Sequence, residues 1–277
     1  MINPHASHPT SPAALMRCLW QHRELIMQMT RREVVGRYRG SIMGLAWSFF
    51  NPILMLVVYT FVFSVVFKAK WGGVVEQSQT SFAIVLFVGM IVHSLFAEMV
   101  NRAPKLILSN ANYVKKVVFP LEILPVVSMG VALFHFLVSM CVLLVAVLFI
   151  KGGLAWTTIF FPIVILPLLI ATLGIAWILA SLGVFVRDVG QITGMITTIL
   201  MFLSPVFYPV SALPEKLQFW LLLNPLTTII EQSRAIIIFG NQPHWAGLSI
   251  YAAASLMIAW AGFWWFQKTR KGFADVL

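Results

Sequence analysis

Residues 45–67 run for twenty-three positions without one charged side chain. As a helix rising 1.5 Å per residue, that length reaches about 34 Å, enough to cross roughly 30 Å of hydrocarbon. In lipid each backbone amide must be paired within the protein, so a helix is the natural form of such a segment. Five further apolar runs follow. Residues 81–97 are shorter and carry His93 near the end, residues 123–150 make a third run, and residues 154–186 are charge-free but too long for one perpendicular helix. There Pro162 and Pro167 leave an interfacial piece before the fourth span. Residues 189–208 and 246–266 are the fifth and sixth.

Composition agrees. Hydrophobic residues make up 60% and charged residues 10% of 277, with a mean hydropathy of +0.91. A soluble domain carries roughly 25% charged residues, so most of this chain's outer surface must face lipid. The net charge of +10 does not make a nucleic-acid reader, because the charges lie at the ends of apolar runs rather than on a basic face with interleaved aromatics. Cys18 and Cys141 form neither a disulfide framework nor a metal spacing, and read as small apolar filler. The polar start, MINPHASHPTSP, has no basic region followed by an apolar core, so no cleavable signal peptide is expected.

Ser11-Pro12 is a helix-start pair, a capping hydroxyl before a proline suited to the first turn. Over residues 13–35, Met16, Leu19, Trp20, Met27 and Val34 share one side at helical spacing, while Arg17, Arg23, Glu24, Arg31 and Arg32 lie largely elsewhere. Such a helix is expected in the headgroup plane, or as a soluble helix packed on a partner. Basic residues set the orientation. Six precede the first span, four lie between the second and third, one between the fourth and fifth, and three follow the sixth, fourteen against five on the other side. The rich side is cytoplasmic, which puts both termini inside.

Residues 209–245 resist simple threading. Two apolar pieces, 217–223 and 226–239, are divided by Asn224-Pro225, and the second holds Glu231 and Arg234. Each is too short or too charged to span, yet too apolar for an aqueous loop. Two short re-entrant helices satisfy both facts, and so does an amphipathic hairpin on the outer surface. The fold class is therefore all-α integral membrane: six transmembrane helices, an N-terminal amphipathic interface helix, and two short re-entrant helices before the last span. Residues 1–40 form the tail and interface helix, 41–267 the membrane domain with a cytoplasmic loop at 101–120, and 268–277 a cytoplasmic tail.

Catalytic motifs are missing. There is no G-x-x-x-x-G-K-[ST], H-E-x-x-H, C-x-x-C, G-x-S-x-G or G-x-G-x-x-G, and the nine acidic residues do not cluster. No catalytic or metal-ligating residue is assigned. An integral membrane transferase on a lipid-linked sugar would be expected to offer clustered carboxylates for Mg²⁺. Within the spans, ionisable groups are functional candidates by default. Glu98 reads as a functional or a solvated boundary carboxylate, and His135 as an interhelical hydrogen-bonding group. Glu231 and Arg234 share a helix face as an ion pair or substrate contact, and Arg187-Asp188 anchors the end of the fourth span. The 10 Trp and 22 Phe fit interfacial belts, but aromatic faces also stack on sugar rings.

Four stretches together resemble the membrane subunit of type-2 ABC exporters, closest to the polysaccharide-export branch that serves O-antigen, capsule and teichoic acid. They are RREVVGRYRGSIMGLAWSFFNPILMLVVYTFVFSVVF, NANYVKKVVFPLEILP, Arg187-Asp188, and SPVFYPVSALPEKLQFWLLLNPLTTIIEQSR. The similarity runs from about Arg31 to the end. It implies a permease of the bacterial inner membrane that homodimerises, pairs with two separate ATP-binding cassette subunits holding ATP and Mg²⁺, and itself binds no cofactor. It also implies a lipid-linked polysaccharide substrate, or for other branches a small molecule or lipid. Trp47, Phe50, Tyr59, Phe202 and Tyr208 are then candidates for the sugar path. Asn112, Tyr113, Val114, Lys115, Lys116 and Phe119 are candidates for coupling to the ATPase, and Asn224, Pro225, Glu231 and Arg234 for an outer gate.

Overall fold

The computed structural model describes residues 10–66, 79–115, 119–222 and 224–277, and within these every regular element is helical. Helix α1, Pro12–Gln21, starts as its sequence predicts: the Ser11 side chain accepts from the Ala14 amide at 3.2 Å, and Pro12 opens the first turn. Helix α2, Arg23–Tyr38, follows after a break at His22. Helix α3, Trp47–Tyr59, continues as a π-helical stretch, Thr60–Val66. Next come α4 (Gln79–Arg102), the five-residue α5 (Ala111–Lys115) and α6 (Ile123–Lys151). Helix α7 (Phe161–Phe185) is entered through a 3-10 turn at Trp156–Phe160, and α8 (Val189–Leu203) follows. The chain ends with α9 (Glu215–Leu222), α10 (Pro225–Ile237), α11 (Trp245–Thr269) and α12 (Phe273–Val276).

Five segments among the described residues are long and apolar enough to cross a bilayer: Gly44–Phe63, Phe82–Lys105, Ile123–Lys151, Trp156–Phe185 and Trp245–Val276. The expected fifth span is shorter than its apolar run. Helix α8 has 15 residues, about 22 Å at 1.5 Å each, and ends at Leu203 because Pro205 disfavours helix at the residue before it. In the long charge-free run, the interfacial piece is only the 3-10 turn. Pro162 sits in the first turn of α7, and Pro167 is accommodated inside it.

Packing defines two ends of the bundle. At one end α2 lies lengthwise on α4 and α6, since Glu33 pairs with Arg102 and Arg37 with Glu98, while Thr30 meets Val127 and Tyr38 meets His135. The N-terminal helices are therefore tied along the spans as well as exposing an apolar face. Arg270 reaches Glu122 at 2.6 Å and the Phe119 carbonyl at 2.8 Å, so the N-terminal helices and the C-terminus share this basic end. At the opposite end α10 is held against α4, α6 and α7. The Lys151 ammonium donates to Ile238 O at 2.6 Å, and Thr157 donates to Ile236 O at 2.6 Å, satisfying carbonyls that a helix end leaves open.

Helices α7 and α11 run parallel and close. Phe160 packs on Trp245 near their starts, Trp177 on Phe263 midway, and Ser181 hydrogen-bonds Thr269 at 2.6 Å near their ends. A Cβ on Gly174 would stand 2.6 Å from the Ala259 Cα, and one on Gly262 would overlap the Gly174 carbonyl. Glycine permits the approach. In lipid, where apolar surface gains nothing from association, such backbone contact is a main source of helix pairing.

Candidate functional site

A partly buried polar group between α2 and α4 is built from two E-x-x-x-R repeats. Glu33 and Arg37 are one turn apart on α2, Glu98 and Arg102 one turn apart on α4, and the helices run antiparallel, so each carboxylate meets the other helix's guanidinium. The Arg37–Glu98 contact is 2.6 Å. His135 on α6 completes the group: Nδ1 lies 3.0 Å from both Glu98 oxygens and Nε2 3.1 Å from the Tyr38 hydroxyl. A tautomer with the proton on Nδ1 donates to Glu98 and accepts from Tyr38. His135 thus hydrogen-bonds neighbouring helices, as expected, and Glu98 is ion-paired rather than merely solvated. Charge reversal at Glu33→Arg or Arg102→Glu is expected to lower the melting temperature, and the double swap to recover it, with a coupling of about 1 kcal/mol in a double-mutant cycle.

Two cavities that share Arg37, Met90, Ser94 and Glu98 in their linings open beside this group. One, about 660 Å³, is bordered by Glu33, His93, Glu98, Asn101 and Met201; the other, about 200 Å³, by Tyr38, Asn51, Tyr59, Ser94 and His135. The His93 Nε2 donates to Thr197 O at 3.0 Å, and Asn101 bonds the Thr197 hydroxyl at 3.1 Å, fastening α8 to α4.

The expected path residues divide into two groups. Trp47 and Phe50 are exposed at the start of α3, edge to face at 5.3 Å. Tyr59 is half-buried in the cavity wall. Exposed Phe202 stacks on Phe207 at 5.6 Å, and the Tyr208 hydroxyl donates to Phe202 O at 3.1 Å. Phe207 also stacks on Phe63, joining α3 to the end of α8. Phe63, Phe207 and Asn51 were not among the sequence candidates. Phe207 stands in the quoted FYP pattern, and Asn51 is a lone amide in a charge-free run.

At the basic end, α5 exposes Asn112, while Tyr113 and Val114 are half-buried. Tyr113 stacks on Phe119 at 4.4 Å, and its hydroxyl receives a hydrogen bond from Arg32 at 3.3 Å. Lys115 is the last residue of α5; Lys116 lies outside the described residues, as do Lys68 and Lys70. Nearby, Cys18 is half-buried and donates to Glu122 at 3.5 Å. Burial, then the Glu122 charge, push its thiol up to about 12 from 9.0. The fold favours the neutral thiol, so its contribution is complete below pH 9.0 and is lost as pH climbs toward 12. In a Cys141→Ser background, iodoacetamide at pH 8 is expected to alkylate Cys18 about a hundredfold more slowly than a free thiol, read by mass spectrometry.

At the opposite end Asn224 caps α10, accepting from the Leu226 amide at 2.9 Å and donating to the Ser204 hydroxyl at 2.9 Å. Pro225 follows in the first turn, and its carbonyl accepts from Tyr251 at 2.8 Å. The Arg234–Glu231 pair is present at 2.9 Å, with Arg234 1% exposed and Glu231 40%. Arg234 also donates to three backbone carbonyls: Val85 at 3.0 Å, Pro205 at 2.5 Å and Val206 at 2.9 Å. A Cβ on Gly89 would lie 2.8 Å from its Nη2. Arg234 is thus the clamp that joins α10, α4 and the end of α8.

Five long apolar helices, with a partly buried polar group and a basic cap at one end, make a multi-pass membrane domain. The chain belongs to the ABC-2 type transporter family, matched over residues 24–238. It is 31% identical over 263 residues to the O-antigen export system permease protein RfbA of Myxococcus xanthus, covering 94% of this chain and 98% of that protein. The protein of the same name from Klebsiella pneumoniae is 26% identical over 257 residues, 92% of this chain and 95% of its own. The polysialic acid transport protein KpsM of Escherichia coli is 23% identical over 236 residues, 83% and 88% respectively.

Proposed function

We propose that this chain is the membrane-spanning subunit of an ATP-driven exporter that carries a lipid-linked polysaccharide, O-antigen first among them, out of the cytoplasm across the bacterial inner membrane. The observation that carries it is similarity along nearly the whole length to O-antigen export permeases, 98% of one and 95% of another. The similarity to a polysialic acid transport protein extends the same chemistry to a second long glycan.

The basic end faces the cytoplasm by the distribution of Lys and Arg, so both termini are inside. Six crossings follow, the fifth made by α8 together with residues 204–208 leading to Arg234. Helices α9 and α10 are the re-entrant pair, with Asn224, Pro225, Glu231 and Arg234 at the outer gate. Two copies pair, and two separate ATPase subunits bind the ATP and Mg²⁺. The α2–α5 surface, with Asn112, Tyr113, Val114, Lys115, Lys116 and Phe119, receives the ATPase movement. Trp47, Phe50, Tyr59, Phe202 and Tyr208 line the sugar path, where repeated weak stacking suits a polymer that must slide. The exposed apolar faces of α3 and α8 are open to lipid, a second protomer or substrate.

Deletion of the gene tests it. Lipid-linked polymer is expected to build up inside the cell while the surface loses it, by fractionation and gel staining. Unchanged surface polymer would favour a small-molecule or lipid exporter.

A further inference from the structure

The smaller cavity, between α2, α3, α4 and α6, holds polar groups with nothing to bind. Asn51 stands seven residues into the first span, about 10 Å along it. Asn51 is exposed and lines the cavity, and its amide has no hydrogen-bond partner among the described residues; the exposed Ser94 on α4 lines the same cavity and is likewise without one. The amide is open to a ligand's hydrogen bond, and it borders a space of about 200 Å³ that shares Arg37, Met90, Ser94 and Glu98 with a neighbouring one of about 660 Å³. The neighbouring space by itself falls in the size range of small-molecule sites, roughly 300–1,000 Å³.

The lining chemistry narrows the ligand. The aromatic rings of Tyr38 and Tyr59 border the space, with Ser48 and Ser139 beside them. Arg37 is engaged with Glu98, and Arg102 with Glu33, so the cations that approach the cavities are already neutralised. An anionic group would meet the Glu33 and Glu98 carboxylates beside guanidiniums that already have partners. A neutral, polyhydroxylated ring would find an amide, a hydroxyl, open carboxylate lone pairs and an aromatic face without disturbing either pair.

We propose that this cavity is a glycosyl subsite inside each protomer, taking one uncharged pyranose ring with Asn51 and Ser94 as hydrogen-bond partners and Tyr59 as its stacking face. It rests on the export function proposed above and adds a place where the glycan is held within the wall of one protomer. The subsite sits beside the Arg37–Glu98–His135 contacts that tie α2 to α4 and α6. A bound ring therefore touches the same groups that fasten the cytoplasmic helix.

The experiment is saturation-transfer NMR on the full-length chain in lipid nanodiscs, against empty nanodiscs. The probes are methyl α-mannopyranoside, methyl β-galactopyranoside, methyl α-rhamnopyranoside and, as the anion, methyl phosphate. Ring protons of at least one pyranoside are expected to receive saturation, and methyl phosphate none. Asn51→Leu removes the amide and Ser94→Phe fills the space. Each is expected to cut the signal at least about fivefold, the worth of one hydrogen bond, with circular dichroism and membrane abundance as for the native chain. If no pyranoside is saturated, if methyl phosphate is saturated instead, or if a folded variant keeps the native signal, the subsite is overturned. The deletion strain separates the two claims. Where the subsite alone is wrong, native gene and both variants restore surface polysaccharide equally; where export itself is wrong, the native gene changes no polysaccharide.

Discussion

Replacing Arg234 with methionine is expected to remove about 3–5 kcal/mol of stability, roughly 1–3 for each buried carbonyl left without its donor, and to lower the amount of folded chain in the membrane. The side chain is 1% exposed and its three nitrogens serve carbonyls on two other segments. Without it those carbonyls lose their donors, and Glu231 loses its partner. Methionine fills part of the volume, so the loss falls on hydrogen bonding rather than on a cavity. Arg234→Lys is expected to recover little, because one ammonium cannot reach Val85, Pro205 and Val206 from the positions of a forked guanidinium. Gly89→Val is expected to fail in the same way with Arg234 intact, since its Cβ would meet Nη2 and the Val206 Cα at 3.2 Å. The checks are membrane abundance and the thermal melt of purified chain. An Arg234→Met melt equal to the native one would contradict the clamp.

Leucine at Gly174 or Gly262 is expected to be comparably severe. Overpacking an ordinary core costs about 1–3 kcal/mol when neighbouring side chains can shift. Here the obstacles are backbone: the Ala259 Cα and Ile258 carbonyl facing Gly174, and the Gly174 carbonyl facing Gly262. Helices α7 and α11 would have to separate, losing the Ser181–Thr269 bond and the Trp177–Phe263 contact. Gly194→Leu is the control, because a Cβ there meets nothing within 4 Å. Melting temperatures of the three variants separate a packing effect from a general intolerance of leucine.

Much of this architecture is readable because lipid imposes simple rules. Charge-free runs located the long helices, and Ser11-Pro12 located the start of α1. The end of α8 was missed because hydropathy stays high through Tyr208 while the backbone answers to Pro205. The Glu231–Arg234 pair follows from three-residue spacing, but the rest of the clamp does not. Its acceptors are main-chain oxygens 149, 29 and 28 residues away, and a carbonyl carries no sequence signature. The two E-x-x-x-R spacings stand in the sequence but were not singled out there, because that they face each other is decided by how α2 packs, which helical periodicity within either segment does not contain. Glycine-mediated contact of α7 and α11 is similarly a property of the pair. Among the aromatics, Tyr59 and Phe202 were legible as candidates, whereas the Phe63–Phe207 stack joins residues far apart in the chain.

The most direct measurement uses inverted inner-membrane vesicles, whose lumen corresponds to the outside of the cell, loaded on their outer face with lipid-linked polysaccharide. With native chain and its ATPase, addition of ATP is expected to carry the glycan inward, where it becomes protected from an added glycan-degrading enzyme until detergent is supplied. Vesicles from the deletion strain, or without ATP, should leave it fully exposed. Glycan that stays degradable in native, ATP-fed vesicles, or that becomes protected equally without this chain, would contradict the account.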